Sequence, residues 1–137
     1  MATEHIVKSY GRELERYKAR LLNMADEADR QLEKTLSALA KRDSRLAREV
    51  IEKDADVNFQ QTSIDAEAAR LLALRQPMAN DFREVISGLK IAAELERVAD
   101  YARNIARHLL NLRGDGLDAP MSALGEMGQV ALAMLRE

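Results

Sequence analysis

The sequence predicts an all-α protein, an antiparallel three-helix bundle followed by a fourth, incomplete helix. Aromatic residues make up only 4% of the 137 residues, and the chain has six glycines and two prolines. Strands favour β-branched and aromatic side chains and hairpins need glycine-rich turns, so this composition favours helices. Apolar residues also recur at helical spacing along three long segments that are separated by short breaks.

The first helix is predicted over residues 9–40, where an apolar stripe repeats every three or four residues. Its members are Val7, Tyr10, Leu14, Tyr17, Leu21, Met24, Ala28, Leu32, Leu36 and Leu39. A polar break at residues 41–44 follows, and Asp43 or Ser44 is the predicted N-cap of the second helix. The stripe predicts which face of the first helix is buried.

The second helix is predicted to end near residue 74, before Pro77, and the third to cover residues 79–112. A buried line on the second helix comprises Val50, Asp54, Val57, Gln61, Ile64, Ala68 and Leu71. A line on the third comprises Phe82, Ile86, Leu89, Ala93, Glu96 and Asp100. Opposing members of the two lines are equally far from Pro77 to within one residue, so the helices are predicted to mesh as an antiparallel hairpin.

The third helix has a second apolar line that is predicted to face the first helix: Ile91, Leu95, Val98, Ala102, Ile105, Leu109 and Leu112. Small residues between the two lines would allow close approach: Val85, Ala92, Ala99 and Ala106. The opposite face is predicted to lie in water: Arg83, Lys90, Glu94, Arg97 and Tyr101. Gly114 and Gly116 end this helix, and Pro120 is predicted to open the fourth.

Charge and hydropathy exclude several classes of protein. The chain has 21 Lys and Arg against 23 Asp and Glu, a net charge of −2, which argues against binding nucleic acid through a basic surface. No apolar run approaches the roughly 20 residues of a membrane-spanning helix, and the polar N-terminus has no signal-peptide core. We therefore expect a cytoplasmic protein without direct membrane insertion. There is no cysteine for a disulfide or thiolate site.

Oxygen-bearing side chains mark one candidate metal site. Glu96 and Asp100 stack on one helical face, as do Asp54 and Asn58 on the second helix, and both pairs lie about equally far from Pro77. Carboxylate and amide oxygens favour hard or borderline cations, and converging carboxylates need a cation or a proton. A solvated acidic face is the open alternative. No Glu-x-x-His, phosphate loop or catalytic triad motif is present, which disfavours a di-iron oxidase and leaves no sign of the other common catalytic sites.

Two motifs resemble a known family. Residues 71–83 contain an Arg-Gln-Pro turn, and residues 89–106 contain a Glu-Arg-x-x-Asp-x-x-x-Asn-Ile pattern. Together they closely resemble the PhoU family, regulators of high-affinity phosphate uptake in bacteria, whose members contain two three-helix repeats. The resemblance implies one repeat over residues 1–113, a linker over residues 114–119, and the truncated start of a second repeat over residues 120–137.

The resemblance also implies a metal site and a regulatory role. Glu96 and Asp100 match the family's metal motif, whereas Asn58 stands where many members have Asp. Iron, manganese, magnesium or zinc are the candidate ions. The implied function is regulatory rather than enzymatic: negative regulation of phosphate uptake and of the phosphate-starvation response. The implied partners are the sensor histidine kinase and the ATPase subunit of the phosphate ABC transporter.

Two other functions stay open, and the fourth helix adds an expectation about assembly. The alternatives are a metal-storing or redox-active carboxylate bundle and a plain helical scaffold. The fourth helix carries Met121, Leu124, Met127 and the apolar run at residues 130–135. A helix of about 17 residues is marginal alone in water, so it needs apolar surface. A homodimer formed through residues after Gly116 would supply that surface.

Overall fold

Four α-helices form the described part of the chain, residues 2–75, 79–112 and 118–137, in this computed structural model. They are α1 (Ala2–Lys41), α2 (Ser44–Arg75), α3 (Ala79–Asn111) and α4 (Asp118–Arg136). The first three pack against one another, and α4 packs along α1. The predicted all-α class and three-helix bundle are confirmed. The Pro77 turn and residues 114–117 of the predicted linker lie outside the described residues, as does residue 113.

Two helices begin earlier than predicted. The first helix starts at Ala2 rather than near residue 9, because residues 2–8 contain no glycine or proline and helix propagation costs little once a nucleus exists. The fourth starts at Asp118, two residues before Pro120, since proline is tolerated in the first turn of a helix. Among the described helices, none is long and apolar enough to cross a membrane.

The turn between α1 and α2 combines a C-terminal and an N-terminal capping motif. Arg42 has a φ of 52°, and the N–H of Asp43 donates to the carbonyl of Ala38 at 2.9 Å, which closes α1 in a Schellman motif. The side chain of Asp43 then accepts hydrogen bonds from the N–H groups of Arg45, at 2.9 Å, and Leu46, at 3.2 Å. Asp43 is therefore the N-cap of α2, one of the two predicted candidates.

The core consists of two main clusters along the bundle axis. The larger cluster contains Leu14, Tyr17, Met24, Ala28, Val57, Ile64, Ala68, Leu71, Val85, Ala92, Leu95 and Ala99. The smaller cluster contains Ala38, Leu39, Ala47, Val50, Ala102, Ala106 and Leu109. The predicted stripe on α1 and the predicted line on α2 supply most of their α1 and α2 members, so both helices bury the predicted face.

The orientation of α3 differs from the prediction. Phe82 and Ala93 of the first predicted line are exposed, with Phe82 at 48%, and Ile91 and Leu112 of the second line are exposed as well. The buried centre is instead the row of small residues between the two lines: Val85, Ala92, Ala99 and Ala106. The physical reason is that α3 contacts both α1 and α2. The side chains that lie between its two apolar lines therefore face the core, and each line lies partly to one side. The outer face of α3, including Arg83 and Lys90, is exposed as predicted.

Gly88 allows α1 and α3 to approach closely. A Cβ atom there would lie 2.7 Å from Cε1 of Tyr17 and 2.8 Å from Cδ1 of Leu21. The buried Tyr17 hydroxyl donates to the carbonyl of Val85 at 2.7 Å. Burial, followed by the nearby charges of Asp65 and Glu67, raises the pKa of Tyr17 to about 12, so this hydroxyl stays a donor at neutral pH.

The fourth helix packs against α1 through one of its faces. Leu132 packs with Leu32 and Leu36, and Gly128 leaves no room for a Cβ atom beside the Leu36 side chain. At the end of α4, the guanidinium of Arg136 donates to both carboxylate oxygens of Asp29, at 2.7 and 3.1 Å. The helix thus finds apolar surface on its own bundle. Its outer face remains exposed at Leu124, Met127, Val130 and Met134.

Candidate metal centre

Three of the predicted site residues meet around an arginine that the sequence analysis did not single out. Asp54 lies on α2 and is only 9% exposed, whereas Asp100 and Arg103 lie on α3. One terminal nitrogen of Arg103, Nη1, forms an ion pair with Oδ2 of Asp54. The other, Nη2, lies 2.9 Å from Oδ1 of Asp100. The guanidinium therefore links the two helices through both carboxylates.

Glu96 completes the cluster and holds a perturbed carboxyl group. Its pKa is raised by burial, then by the charge of Asp100 and a hydrogen bond with that carboxyl, and by the charge of Asp54. The charge of Arg103 acts in the opposite direction. Three carboxylates face one guanidinium here, so the cluster has an excess of negative charge that favours a proton or a further cation.

Asn58 lies at the edge of this cluster. It is exposed, and its side-chain Nδ2 donates to Oδ2 of Asp54 at 3.5 Å. The prediction used its amide oxygen as a ligand, whereas the structure places the amide nitrogen toward Asp54. Of the four predicted residues, Asp54, Glu96 and Asp100 are therefore grouped, and Asn58 contacts the group through Asp54.

The donor set suits a hard cation, but Arg103 already holds two of its members. Carboxylate oxygens are the ligands that Mg²⁺, Mn²⁺ and iron accept. In the described parts of the chain, no group of three or more His, Asp or Glu side chains is arranged to hold a metal ion in this conformation. Arg103 is therefore the cation that the structure shows beside Asp54 and Asp100.

A buried polar layer at this level was also missed by the sequence analysis. Gln31 and Thr35 on α1 are 3% and 0% exposed, and they lie between the α1 members of the two core clusters. The Thr35 hydroxyl contacts the carbonyls of Gln31, at 2.8 Å, and Ala102, at 3.3 Å.

The i, i+3 spacing of Asp100 and Arg103 was the one signal in the sequence for the ion pair between them. No periodicity rule identifies Gln31 or Thr35.

Replacing Glu96 with glutamine should leave stability unchanged or raise it slightly at neutral pH without added metal. The pKa of Glu96 in the folded state exceeds its ordinary value of 4.5, so the folded state binds this proton more tightly than the unfolded state. The protonated carboxyl therefore stabilises the folded state fully at a pH below the ordinary pKa of Glu96. This stabilisation is lost as the pH rises through the pKa of Glu96 in the folded state. Glutamine removes the ionisation and therefore the loss.

Urea unfolding of both proteins at about pH 4 and about pH 7 measures this effect. The wild type should lose more stability between the two pH values than Glu96→Gln. If Glu96→Gln were strongly destabilised at about pH 7, ionised Glu96 would be a required structural partner and the expectation would be wrong.

Comparison with known proteins identifies the family. A family model described as the PhoU domain matches residues 21–109. The chain belongs to the PhoU domain family. The matched stretch includes Asp54, Glu96, Asp100 and Arg103, together with most of both core clusters.

Relatives of this PhoU domain cover nearly all of the chain. A protein of Caulobacter vibrioides, named phosphate-specific transport system accessory protein PhoU homolog, is 39% identical over 136 residues, 98% of this chain and 59% of the relative. A protein of the same name from Xylella fastidiosa is 37% identical over 96% of this chain and 55% of the relative. The chain thus spans somewhat more than half the length of these relatives.

Solved structures show the same fold. The phosphate transport system regulatory protein PhoU from Streptococcus pneumoniae superposes with a TM-score of 0.85 and 34% identity, over 93% of this chain and 59% of that one. PhoU from Pseudomonas aeruginosa gives a TM-score of 0.84 and 32% identity, over 93% of this chain and 62% of that one. The match to the family's fold therefore extends beyond the residues that carry the motifs.

Proposed function

We propose that this PhoU domain is a negative regulator of high-affinity phosphate uptake and of the phosphate-starvation response, acting by protein contact rather than by catalysis. The observation that supports the role is the similarity of fold and sequence to proteins named as accessory and regulatory components of phosphate transport. The proposed partners are the ATPase subunit of the phosphate ABC transporter and the cytoplasmic part of the sensor histidine kinase. The proposed compartment is the cytoplasm.

The outer face of α3 is the surface that we assign to partner binding. Arg83, Lys90 and Arg97 are exposed there beside Glu94, which pairs with Arg97 at 3.5 Å, and Tyr101 is exposed at 61% on the same face. Exposed arginine and tyrosine side chains are common anchors in protein interfaces. Positive charges on such a face also speed the approach of an acidic partner.

Binding to the two partners tests the regulatory role. The chain should retain the ATPase subunit or the kinase's cytoplasmic part at physiological salt. Reversing the α3 charges by Arg83→Glu, Lys90→Glu and Arg97→Glu should weaken retention. The matched control reverses three exposed cations on the outer face of α1: Lys8, Arg12 and Arg16.

Both variants change the net charge equally, so a general electrostatic effect would weaken them alike. An equal loss in the two variants would overturn the assignment of the α3 face. If neither partner were retained by the wild type above an unrelated helical bundle, the regulatory role itself would be wrong. Metal binding without partner binding would instead favour the alternative of a metal-storing bundle.

The cluster at Asp54, Glu96 and Asp100 is the proposed metal site, with Asn58 at its edge. The ion would be divalent or trivalent: iron, manganese, magnesium or zinc. Its contribution would be to neutralise the excess negative charge and to link α2 to α3. The supporting observation is the convergence of three carboxyl groups, one of which has a raised pKa.

Titration of Mn²⁺ into the wild type and Asp100→Ala should give binding only to the wild type. Asp100 is the carboxylate whose neighbours include both Arg103 and Glu96, so its removal takes away a central ligand. Calorimetry measures the affinity, and Asp65→Ala, which removes an exposed carboxylate of α2, is the control. Equal affinity in wild type and Asp100→Ala would show that Mn²⁺ binds elsewhere.

A homodimer through α4 is the proposed assembly of this chain. Between Pro120 and Leu135 the only charged residue is Glu126, yet only one face of α4 is covered. The uncovered side chains of Leu124 and Met127 line an apolar groove of about 280 Å³ formed by α1, α3 and α4, and Met134 is exposed further along α4. Large exposed apolar side chains that lie close together on a surface are typical of a contact with another molecule. A second copy could cover both the face and the groove by two-fold pairing.

Light scattering of Met127→Glu with Met134→Glu should show a monomer at concentrations where the wild type is a dimer. The two methionines are 69% and 70% exposed, so the substitutions should not disturb the bundle itself. The matched control is Leu22→Glu with Phe59→Glu, at side chains that are 67% and 73% exposed on α1 and α2. A monomeric wild type, or dissociation of both variants alike, would contradict pairing through α4.

A further inference from the structure

The outward face of α2 carries an uncharged stripe that the proposed function does not use. Six exposed residues recur along it at alternating spacings of four and three: Ala55, Phe59, Thr62, Ala66, Ala69 and Ala73. This spacing places them on one side of the helix over a length of about 27 Å. The α2 stripe therefore has the length and the periodicity of a surface that packs against another helix.

The outward faces of the two neighbouring helices are charged instead. The outer face of α1 carries Lys8, Arg12 and Arg16, and that of α3 carries Arg83 and Lys90. A surface helix normally presents charged side chains to water on the side opposite the core. The α2 stripe departs from this pattern over about five turns, and the centres of protein interfaces are likewise depleted in charged residues.

Phe59 supplies a large side chain in the middle of the stripe. It is 73% exposed, and it borders a pocket of about 170 Å³ that is also lined by Arg20, Asn23, Gln60 and Ser63. The Oε1 atom of Gln60 is buried and has no hydrogen-bond partner in the described part of the chain. A donor from a bound molecule would remove the cost of that unpaired acceptor. An aromatic side chain beside a pocket is a common anchor of an interface.

The alanines on both sides of Phe59 set how closely a partner can approach. The distance between two packed helices depends on the side chains at their contact, and it is smallest where those side chains are small. Ala55, Ala66 and Ala69 therefore leave space for larger side chains of a partner helix. The Phe59 ring projects between them and fixes the position of that helix along the stripe.

Exposed carboxylates flank the stripe. Glu52, Asp56 and Asp65 lie within three residues of its members, are exposed, and form no ion pair within the described part of the chain. Opposite charges beside an apolar seam determine which helices pair. Lysine and arginine side chains are the complement of these three carboxylates.

Two cations of α2 leave this negative charge in place. Arg70, beside the stripe, lies 3.6 Å from a carboxylate oxygen of Glu13 on α1. Lys53 is exposed, but it precedes Ala55 by two residues, a rotation of about 200° around the helix. The edges of the stripe therefore repel an anionic lipid surface or an acidic helix.

We propose that the α2 stripe docks a helix of another protein, with apolar side chains at three- and four-residue spacing and lysine or arginine beside them. A second copy of this chain fits less well, because pairing through the same face would bring its three carboxylates to the interface as well. The inference goes beyond the proposed function, in which the partners contact the outer face of α3.

Fluorescence anisotropy with three labelled synthetic helical peptides tests the docking on the full chain. The first peptide has three heptads, about 21 residues, with leucine along the seam and lysine beside it, so that it repels its own copies. The second has glutamate in place of lysine, and the third keeps lysine but has serine in place of leucine. Only the first should bind the wild type. Failure of the first to bind, or equal binding of the third, would overturn the proposal.

Substitutions in the stripe locate the binding. Phe59→Ala should weaken binding of the leucine–lysine peptide at least about tenfold, whereas Leu22→Ala, at a side chain 67% exposed on α1, should not. Ala66→Gln places a larger uncharged side chain in the stripe and should also weaken binding. Its control is Ala19→Gln at an exposed alanine of α1. Circular dichroism checks that each variant keeps the helical fold of the wild type.

A charge pair of variants tests the flanking carboxylates. Asp56→Asn with Asp65→Asn should weaken binding of the leucine–lysine peptide and reduce its dependence on salt concentration. Asp26→Asn with Glu126→Gln removes two exposed carboxylates of α1 and α4, so it changes the net charge equally. Equal weakening in these two double variants would mean that overall charge attracts the peptide, and the proposal would be wrong.

The remaining outcomes identify a different occupant or a different surface. Loss of peptide binding in Met127→Glu with Met134→Glu, but not in Phe59→Ala, would place the peptide on α4 and overturn the docking on α2. A wild-type dimer that Phe59→Ala converts to a monomer in light scattering would make a second copy the occupant and would also overturn it. Failure of the ATPase subunit and the kinase to bind the chain would overturn the proposed function and leave the peptide result unchanged.

Discussion

Ile64→Ala should lower the free energy of unfolding by about 2–5 kcal/mol. Ile64 lies on α2 and is 1% exposed within the larger core cluster, which α1 and α3 also enter. Truncation to alanine removes buried methyl groups and leaves a cavity, and α1 and α3 cannot collapse into it without breaking their own contacts. The loss should exceed that of any single surface substitution.

Urea denaturation followed by circular dichroism measures this loss as a shift of the midpoint at constant slope. Phe59→Ala is the matched control, because Phe59 is a large apolar residue of the same helix but is 73% exposed. It should change the stability by no more than about 0.5 kcal/mol. Similar effects of the two substitutions would mean that α2 does not bury the Ile64 face.

Gly88→Ala should destabilise the protein by about 1–3 kcal/mol, although alanine favours a helix by about 1 kcal/mol relative to glycine. The added methyl group would lie 2.7 Å from Cε1 of Tyr17 and 2.8 Å from Cδ1 of Leu21. The Tyr17 ring cannot move aside freely, because it is buried and its hydroxyl is bonded to the Val85 carbonyl. The clash therefore separates α1 from α3 or breaks that hydrogen bond.

Gly11→Ala provides a control of opposite sign. A Cβ atom at Gly11 meets nothing within 4 Å, so helix propensity alone should stabilise that variant by up to about 1 kcal/mol. Thermal denaturation of both variants and of Gly88→Ala combined with Tyr17→Phe completes the test. Removing the hydroxyl should recover part of the Gly88→Ala loss, giving a non-additive cycle. Stabilisation by Gly88→Ala would contradict the close approach of α1 and α3.

Local features of the structure followed from the sequence because neighbouring residues alone determine them. The Asp43 cap depends on a side chain reaching N–H groups two and three residues ahead. The line from Val50 to Leu71 on α2 repeats with helical periodicity, and each apolar member of it is buried. The resemblance of residues 71–83 and 89–106 to the PhoU family also depended on order along the chain, and the family match confirmed it.

The sequence predicted that three acidic side chains lie at one level of the bundle, but it did not predict the arginine that pairs with two of them. The equal distances from Pro77 placed Asp54, Glu96 and Asp100 at one level, and these three are grouped in the structure. The pairing of Arg103 with Asp54 depends on how far a long side chain reaches across two helices. Spacing along one helix carries no information about that reach.

Periodicity and capping in the sequence determined that the chain forms four helices, which faces of α1 and α2 are apolar, and that acidic residues of α2 and α3 lie at one level. Only the tertiary structure decided the rotation of α3, the docking of α4 on α1 and the charge partner of Asp54. The physical reason is that each helix is amphipathic by its own sequence, whereas its rotation results from all of its neighbours together. Phe82 is exposed because contact with both α1 and α2 turns the small residues of α3, Val85 and Ala92 among them, into the core.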